Sequence, residues 1–240
     1  GQVLTVLVLL ARFLRQKGEL RFRRFAVSGA LVGKVCKRGI PEAATQLTTP
    51  VTALCYNLML SRLIGDIGVS TFSVLSFLYS LANAILSGVA QGLQPLWGLC
   101  YGRKDTDGMA WYLRSGLVIN AVLSVLIYGG LFLFDVPVIR IFNQEPALIQ
   151  EASAALPLFA LSFVPMALNL VYTAYFFSTK RTGTANAIAV SRGIVVKALL
   201  IFCLPLLFGT KAIWLAPFVT EAVTLAAAIV LRRTSKLVYR

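Results

Sequence analysis

The sequence predicts an all-α, polytopic membrane protein, a bundle of six transmembrane helices. Three observations carry this. The chain is 58% hydrophobic, with a mean hydropathy of +0.80, where soluble domains are about 45–50% apolar. Only 13% of its residues are charged, about half the share usual in soluble domains. Its apolar residues also lie in continuous runs long enough for a helix to cross the hydrocarbon core, which takes about 20 residues. A membrane barrel would need short alternating segments instead. The same composition excludes an ordinary cytoplasmic enzyme, a disordered tail, collagen and a coiled coil.

The first apolar run, Val3–Leu14, is too short to span and ends among Arg12, Arg15 and Lys17. It fits the end of a truncated transmembrane helix over residues 1–15. The chain begins Gly1-Gln2 without a signal peptide, as if cut from something longer. Residues 16–38 form a basic cytoplasmic linker. They are weakly amphipathic through Phe22, Phe25, Val27, Leu31 and Val35, so a helix on the membrane surface and a solvated segment both remain open. Six spans follow within residues 39–233: Ile40–Ser61, Val69–Leu99, Leu113–Phe134, Ala154–Phe177, Thr184–Phe208 and Ala212–Leu231. Residues 234–240 form a cytoplasmic tail.

The basic residues set the orientation through the positive-inside rule. Eighteen of the 23 Lys and Arg fall on one side, before the first span, in the Arg103–Lys104 and Lys180–Arg181 loops, at Arg114 just inside the third span and in the tail. The other side has Arg62, Arg140 and Lys211. Both termini are therefore expected in the cytoplasm, with the protein in the plasma membrane. The net charge of +14 forms no continuous stripe and brings no nucleic-acid motif, so no nucleic-acid partner is expected. Cys36, Cys55, Cys100 and Cys203 are widely spaced and histidine is absent, so the cysteines suit packing better than a metal.

Seven prolines lie in or beside the spans: Pro41, Pro50, Pro95, Pro157, Pro165, Pro205 and Pro217. Each removes a backbone donor. The freed carbonyls must find neighbouring helices or water, as in the broken helices of transporters. Ser87-Gly88-Val89-Ala90-Gln91-Gly92-Leu93-Gln94-Pro95 sets Gly88 and Gly92 at i and i+4, a flat face for close helix approach. It also puts two amides where bare lipid would not tolerate them. Tyr101-Gly102-Arg103-Lys104-Asp105 follows.

This run resembles the multidrug and toxic compound extrusion (MATE) family, where G-x-x-Q-G-x-Q-P near a helix end precedes a Tyr-Gly turn into a basic loop. Three further stretches resemble it. Gly39-Ile40-Pro41 with Asn57 is similar to the opening of the family's seventh helix. Ser191-Arg192 is similar to its eleventh. Gly209 through Ile213-Trp214-Leu215, Pro217 and Glu221 is similar to its last. The resemblance implies one lobe of a twelve-helix, MATE-type transporter built of two parallel six-helix repeats. The missing N-terminal lobe would be its partner. It also implies export of cationic or amphipathic compounds by antiport with Na⁺ or H⁺, with no cofactor. Some branches carry acids midway along the seventh and tenth helices. Here the matching spans have only Glu42, at an edge, and Asn169, so the coupling ion stays open.

A charge at a helix centre costs roughly 2.5–3.5 kcal/mol on insertion scales, so Arg192, Lys197 and Glu221 need partners or water. Lys197 and Glu221 stand at matching depths on either side of the turn near Thr210, which makes a pair geometrically available. An ion pair of purely structural role and a proton or substrate-cation site both fit. Candidate substrate- or ion-binding residues are Asn57, Asn83, Gln91, Gln94, Asn169, Tyr172, Arg192, Lys197 and Glu221, with Tyr79 beside them. Interhelical hydrogen bonding would suit most of them equally. A lipid-linked saccharide flippase of related fold is the alternative, though it would want a more cationic cavity. An intramembrane enzyme would need a dyad or metal that the sequence does not offer. A membrane scaffold would not need buried charges.

Overall fold

In the computed structural model, residues 2–14, 28–179 and 196–234 are described, and every long element among them is a helix. The chain divides into two compact units, Gly1–Ile40 and Pro41–Arg240. The first holds α1, Gln2–Leu14. Its Val3, Leu4, Val6 and Val8 are exposed. Helix α2, Gly29–Leu63, starts well before the expected first span and carries Pro41 and Pro50 inside it.

The second unit continues with α3 (Asp66–Arg103), α4 (Thr106–Leu133), α5 (Asp135–Phe142), α6 (Pro146–Ala160), α7 (Phe163–Ser178) and α8 (Val196–Phe208). A 3₁₀ segment (Thr210–Leu215) leads into α9 (Ala216–Thr234). Helices α3 and α4 and the Thr210–Val230 stretch are each long and apolar enough to cross a membrane. Helices α6 and α7 make a fourth span as a pair bent by 41°. The described half of the expected fifth span is α8, and α2 falls short of the same apolar standard. Its threonines, Thr45, Thr48, Thr49 and Thr52, and Gln46 dilute the run.

The break replaces the continuous span expected over Ala154–Phe177. Pro165 has no N–H to give the Leu161 carbonyl, and its ring crowds the preceding turn. The chain turns instead at Leu161-Ser162, where the Ser162 hydroxyl donates to the Phe159 carbonyl at 2.7 Å. The short α5 lies between the expected third and fourth spans.

The Tyr101–Asp105 motif is a helix–helix corner. Lys104 ends α3 in the left-handed region, at φ 58°. Asp105 then caps α4 by accepting from the Gly108 N–H at 2.8 Å, a favoured N-cap arrangement. A side chain at Gly108 would strike the Asp105 carboxylate.

Helix α7 is the centre of the unit, packed against α3, α4 and α9. Toward one end the core is built from Tyr56, Phe72, Leu75, Leu86, Phe159, Phe163 and Trp214, with Tyr56 stacked on Phe72 at 4.4 Å. Toward the other it is built from Trp97, Met109, Leu113, Val171 and Phe176. Asn120 ties three helices by donating to the carbonyls of Leu86 (3.3 Å, α3) and Ala167 (3.1 Å, α7). Gly116 allows the close approach: a Cβ there would lie 2.5 Å from a Leu93 methyl and 3.4 Å from Val171. Between membrane helices such van der Waals fit and interhelical bonds supply the association energy.

Candidate functional site

Four of the residues singled out from the sequence meet inside the bundle. Tyr79 comes from α3, Asn169 from α7, Lys197 from the start of α8 and Glu221 from α9. Glu221 is fully buried and Asn169 is 1% exposed. Asn169 Nδ2 donates to Glu221 Oε2 and to the Glu221 main-chain carbonyl, both at 2.8 Å. The Tyr79 hydroxyl donates to Glu221 Oε1 over 3.5 Å. Lys197 Nζ stands 5.8 Å from the centroid of the Tyr79 ring, inside the range of cation–π attraction. Phe159 and Phe163 meet that ring at 6.1 Å each. The cation and the carboxylate are thus both organised on Tyr79, one by its face and one by its hydroxyl.

A carboxylate in an apolar interior is tolerable only with hydrogen bonds or an opposite charge, and this arrangement supplies the hydrogen bonds, with a cation on the ring of one of the donors. It leaves one polar atom over: Asn169 Oδ1 is buried and accepts no hydrogen bond among the described residues. An uncommitted acceptor beside a carboxylate can receive a proton donor or a cation.

The other candidates lie elsewhere. Tyr172 is buried one turn beyond Asn169 on α7, and Asn83 is half-buried one turn beyond Tyr79 on α3. Asn57 is exposed on α2. Arg192 lies outside the described residues. Gln91 is exposed and Gln94 half-buried on an open face of α3, where Cβ atoms added at Gly88 and Gly92 would meet nothing within 4 Å. Within the described chain the close helix contact is therefore made at Gly116 and not at the Gly88/Gly92 pair.

Two features went unseen in the sequence. Asn120 is a lone amide in an apolar run, the same signal that marked Gln91 and Gln94. Phe159 and Phe163 carried no signal, because a phenylalanine in an apolar span looks like any core residue. No group of three or more metal-ligating side chains occurs among the described residues.

Residues 41–203 match the MatE family. No curated protein matches the chain. Among solved structures, a MATE protein in complex with MaL6 superposes with a TM-score of 0.82 at 14% identity, over 97% of this chain and 53% of that one. An outward-facing multidrug resistance MATE family transporter of the MOP superfamily gives 0.81 at 15%, over 97% and 53%. A MOP superfamily transporter from Pyrococcus furiosus, described as having a binding pocket of reverse polarity, gives 0.80 at 16%, again over 97% and 53%. The chain spans about half the length of these structures.

Proposed function

The chain belongs to the MatE family of membrane transporters, and on that footing we propose that it forms one lobe of a secondary active transporter. This transporter exports cationic or amphipathic drugs and toxic compounds by antiport with Na⁺ or H⁺. The observation that carries the reading is the buried Glu221 carboxylate, held by Asn169 and Tyr79 with Lys197 on the same ring. An intramembrane carboxylate is costly, and one held in place by an amide and a tyrosine is a default candidate for binding a cation or a proton. Its aromatic surroundings, Tyr79, Phe159 and Phe163, suit an organic cation.

The partner lobe would cover the open α3 face, where the Gln91 and Gln94 amides would line a wet path and Gly88 and Gly92 would admit a close neighbour. Alternating access moves one repeat against another around a shared site. Both termini and the Arg103–Lys104 corner would face the cytoplasm, in the plasma membrane.

The test is ethidium efflux by the longer transporter that contains this chain, wild type against Glu221→Gln, at matched membrane levels. Imposed Na⁺ and pH gradients are compared. Glu221→Gln should lower gradient-driven efflux at least about tenfold, as loss of one charged contact does. Unchanged efflux under both gradients would remove Glu221 from the mechanism.

A further inference from the structure

A second polar site lies far from Glu221 in the sequence, where α5 faces α6. A cleft of about 710 Å³ opens there, lined by Val136, Arg140 and Gln144 on one side and by Ile149, Gln150 and Ser153 on the other. Val136 and Arg140 stand one turn apart on α5, Gln144 follows in the link after it, and Ile149, Gln150 and Ser153 fall on one face of α6. Its volume is that of a small-molecule site. The Arg140 guanidinium makes no ion pair among the described residues. None of the acids of this stretch, Asp135, Glu145 and Glu151, lines the cleft. Ser153 Oγ is buried there and has no hydrogen-bond partner among the described residues. A planar cation and two amides face this space and an unused hydroxyl lies buried in its wall, a set that suits the tetrahedral oxygens of a phosphate.

The surroundings say where such a phosphate comes from. Helix α4 ends at Leu133, so the cleft begins where a membrane span stops. Around it Leu133 is 73% exposed, Phe134 59% and Ile141 81%, while Ile139 anchors α5 to the core. An amphipathic helix with bare apolar residues at the end of a span lies at the level of the lipid headgroups. We infer that the cleft between α5 and α6 binds the headgroup phosphate of an anionic phospholipid, with Arg140 as its charged ligand and Gln144, Gln150 and Ser153 as hydrogen-bonding partners. Val136 and Ile149 would pack against the glycerol and upper acyl carbons. The bound lipid fastens α5 to the first half of the bent α6–α7 span.

The test uses the 240-residue chain, delipidated in neutral detergent, with thermal unfolding followed as lipid is added. Phosphatidylglycerol should raise the midpoint saturably, and phosphatidylcholine should do so much less. Arg140→Gln should weaken the phosphatidylglycerol response about tenfold, the scale of one charge-assisted contact. Lys211→Gln, which removes an exposed charge elsewhere, should leave it unchanged. Ser153→Ala should weaken it less than Arg140→Gln. Equal losses in the two charge variants would mean diffuse attraction and overturn the site. An equal midpoint rise with inorganic phosphate alone would make the ligand a free anion and overturn the lipid assignment. No response to phosphatidylglycerol in the wild type would overturn both.

Discussion

One amide nitrogen of Asn169 donates to two acceptors of a single residue, the carboxylate and the main-chain carbonyl of Glu221, each at 2.8 Å. The first bond aims the carboxylate. The second fixes the height of α7 against α9, because it grips the backbone. Register and site geometry are therefore one property here: a slip of either helix would misplace the carboxylate.

Asn169→Leu should destabilise the chain by about 1–3 kcal/mol, because it strands a buried carboxylate that had lost its water. Unfolding by denaturing detergent, followed by helix content, measures this. Asn120→Leu removes an amide that only supplements carbonyls already within helices. Its cost should be nearer the average of about 0.6 kcal/mol for interhelical bonds in membranes. Equal costs would show that Glu221 gains nothing special from Asn169.

The Lys197 and Glu221 charges are organised on one tyrosine, so they should behave as a coupled unit. Glu221→Gln and Lys197→Met should each destabilise, and together they should destabilise less than their sum, since the double change leaves no lone charge behind. Tyr79→Phe keeps the ring beneath Lys197 and loses a 3.5 Å bond, so it should be mild. Tyr79→Leu removes the ring as well and should cost about 0.5–1 kcal/mol more. A thermal-shift cycle on these variants measures each step. Strict additivity of Lys197→Met and Glu221→Gln would separate the two residues.

Four of the expected spans, the second, third, fourth and sixth, have a long apolar helix or bent helix pair in their place, and they were legible because lipid imposes one rule everywhere, long apolar runs with satisfied backbones. The depth match of Lys197 and Glu221 was legible for the same reason, since rise per residue is fixed. What failed to show was lateral. Rotation about a helix axis is set by packing, so the sequence could not tell that Gly116 meets a neighbour and Gly88 meets none. Nor could hydropathy locate the bend at Leu161-Ser162. Pro157 and Pro165 announce a weakness in the helix, and the local carbonyl partners decide where it gives way. Helix α5 escaped notice because eight residues of mixed polarity resemble a loop.

Gly116 and Gly88 therefore make a contrasting pair. Gly116→Val should destabilise the chain by about 1–3 kcal/mol, the usual cost of overpacking, because Leu93 and Val171 stand in the way. Gly88→Val should leave the stability of the isolated chain within about 0.5 kcal/mol, as a change at an open surface does. If the partner lobe covers this face, Gly88→Val should still impair efflux by the longer transporter. Normal efflux would mean that nothing packs closely at Gly88.

Orientation can be checked at the two ends of α4. Its 28 residues extend about 42 Å at 1.5 Å per residue, more than the roughly 30 Å of hydrocarbon. Its ends must then face opposite compartments. Asp107 and Glu145 suit as probes, since both are exposed and neither side chain caps a helix by hydrogen bonding. Asp105 would not serve, because its carboxylate holds the α4 cap. In a background with Cys36, Cys55, Cys100 and Cys203 replaced, an impermeant thiol reagent added to intact cells should label Glu145→Cys and spare Asp107→Cys. Permeabilised cells should label both. The basis is the weight of Lys and Arg on the Arg103–Lys104 side, which membrane insertion retains in the cytoplasm. The opposite labelling pattern would invert the topology, and it would place the Arg140 cleft in the inner leaflet.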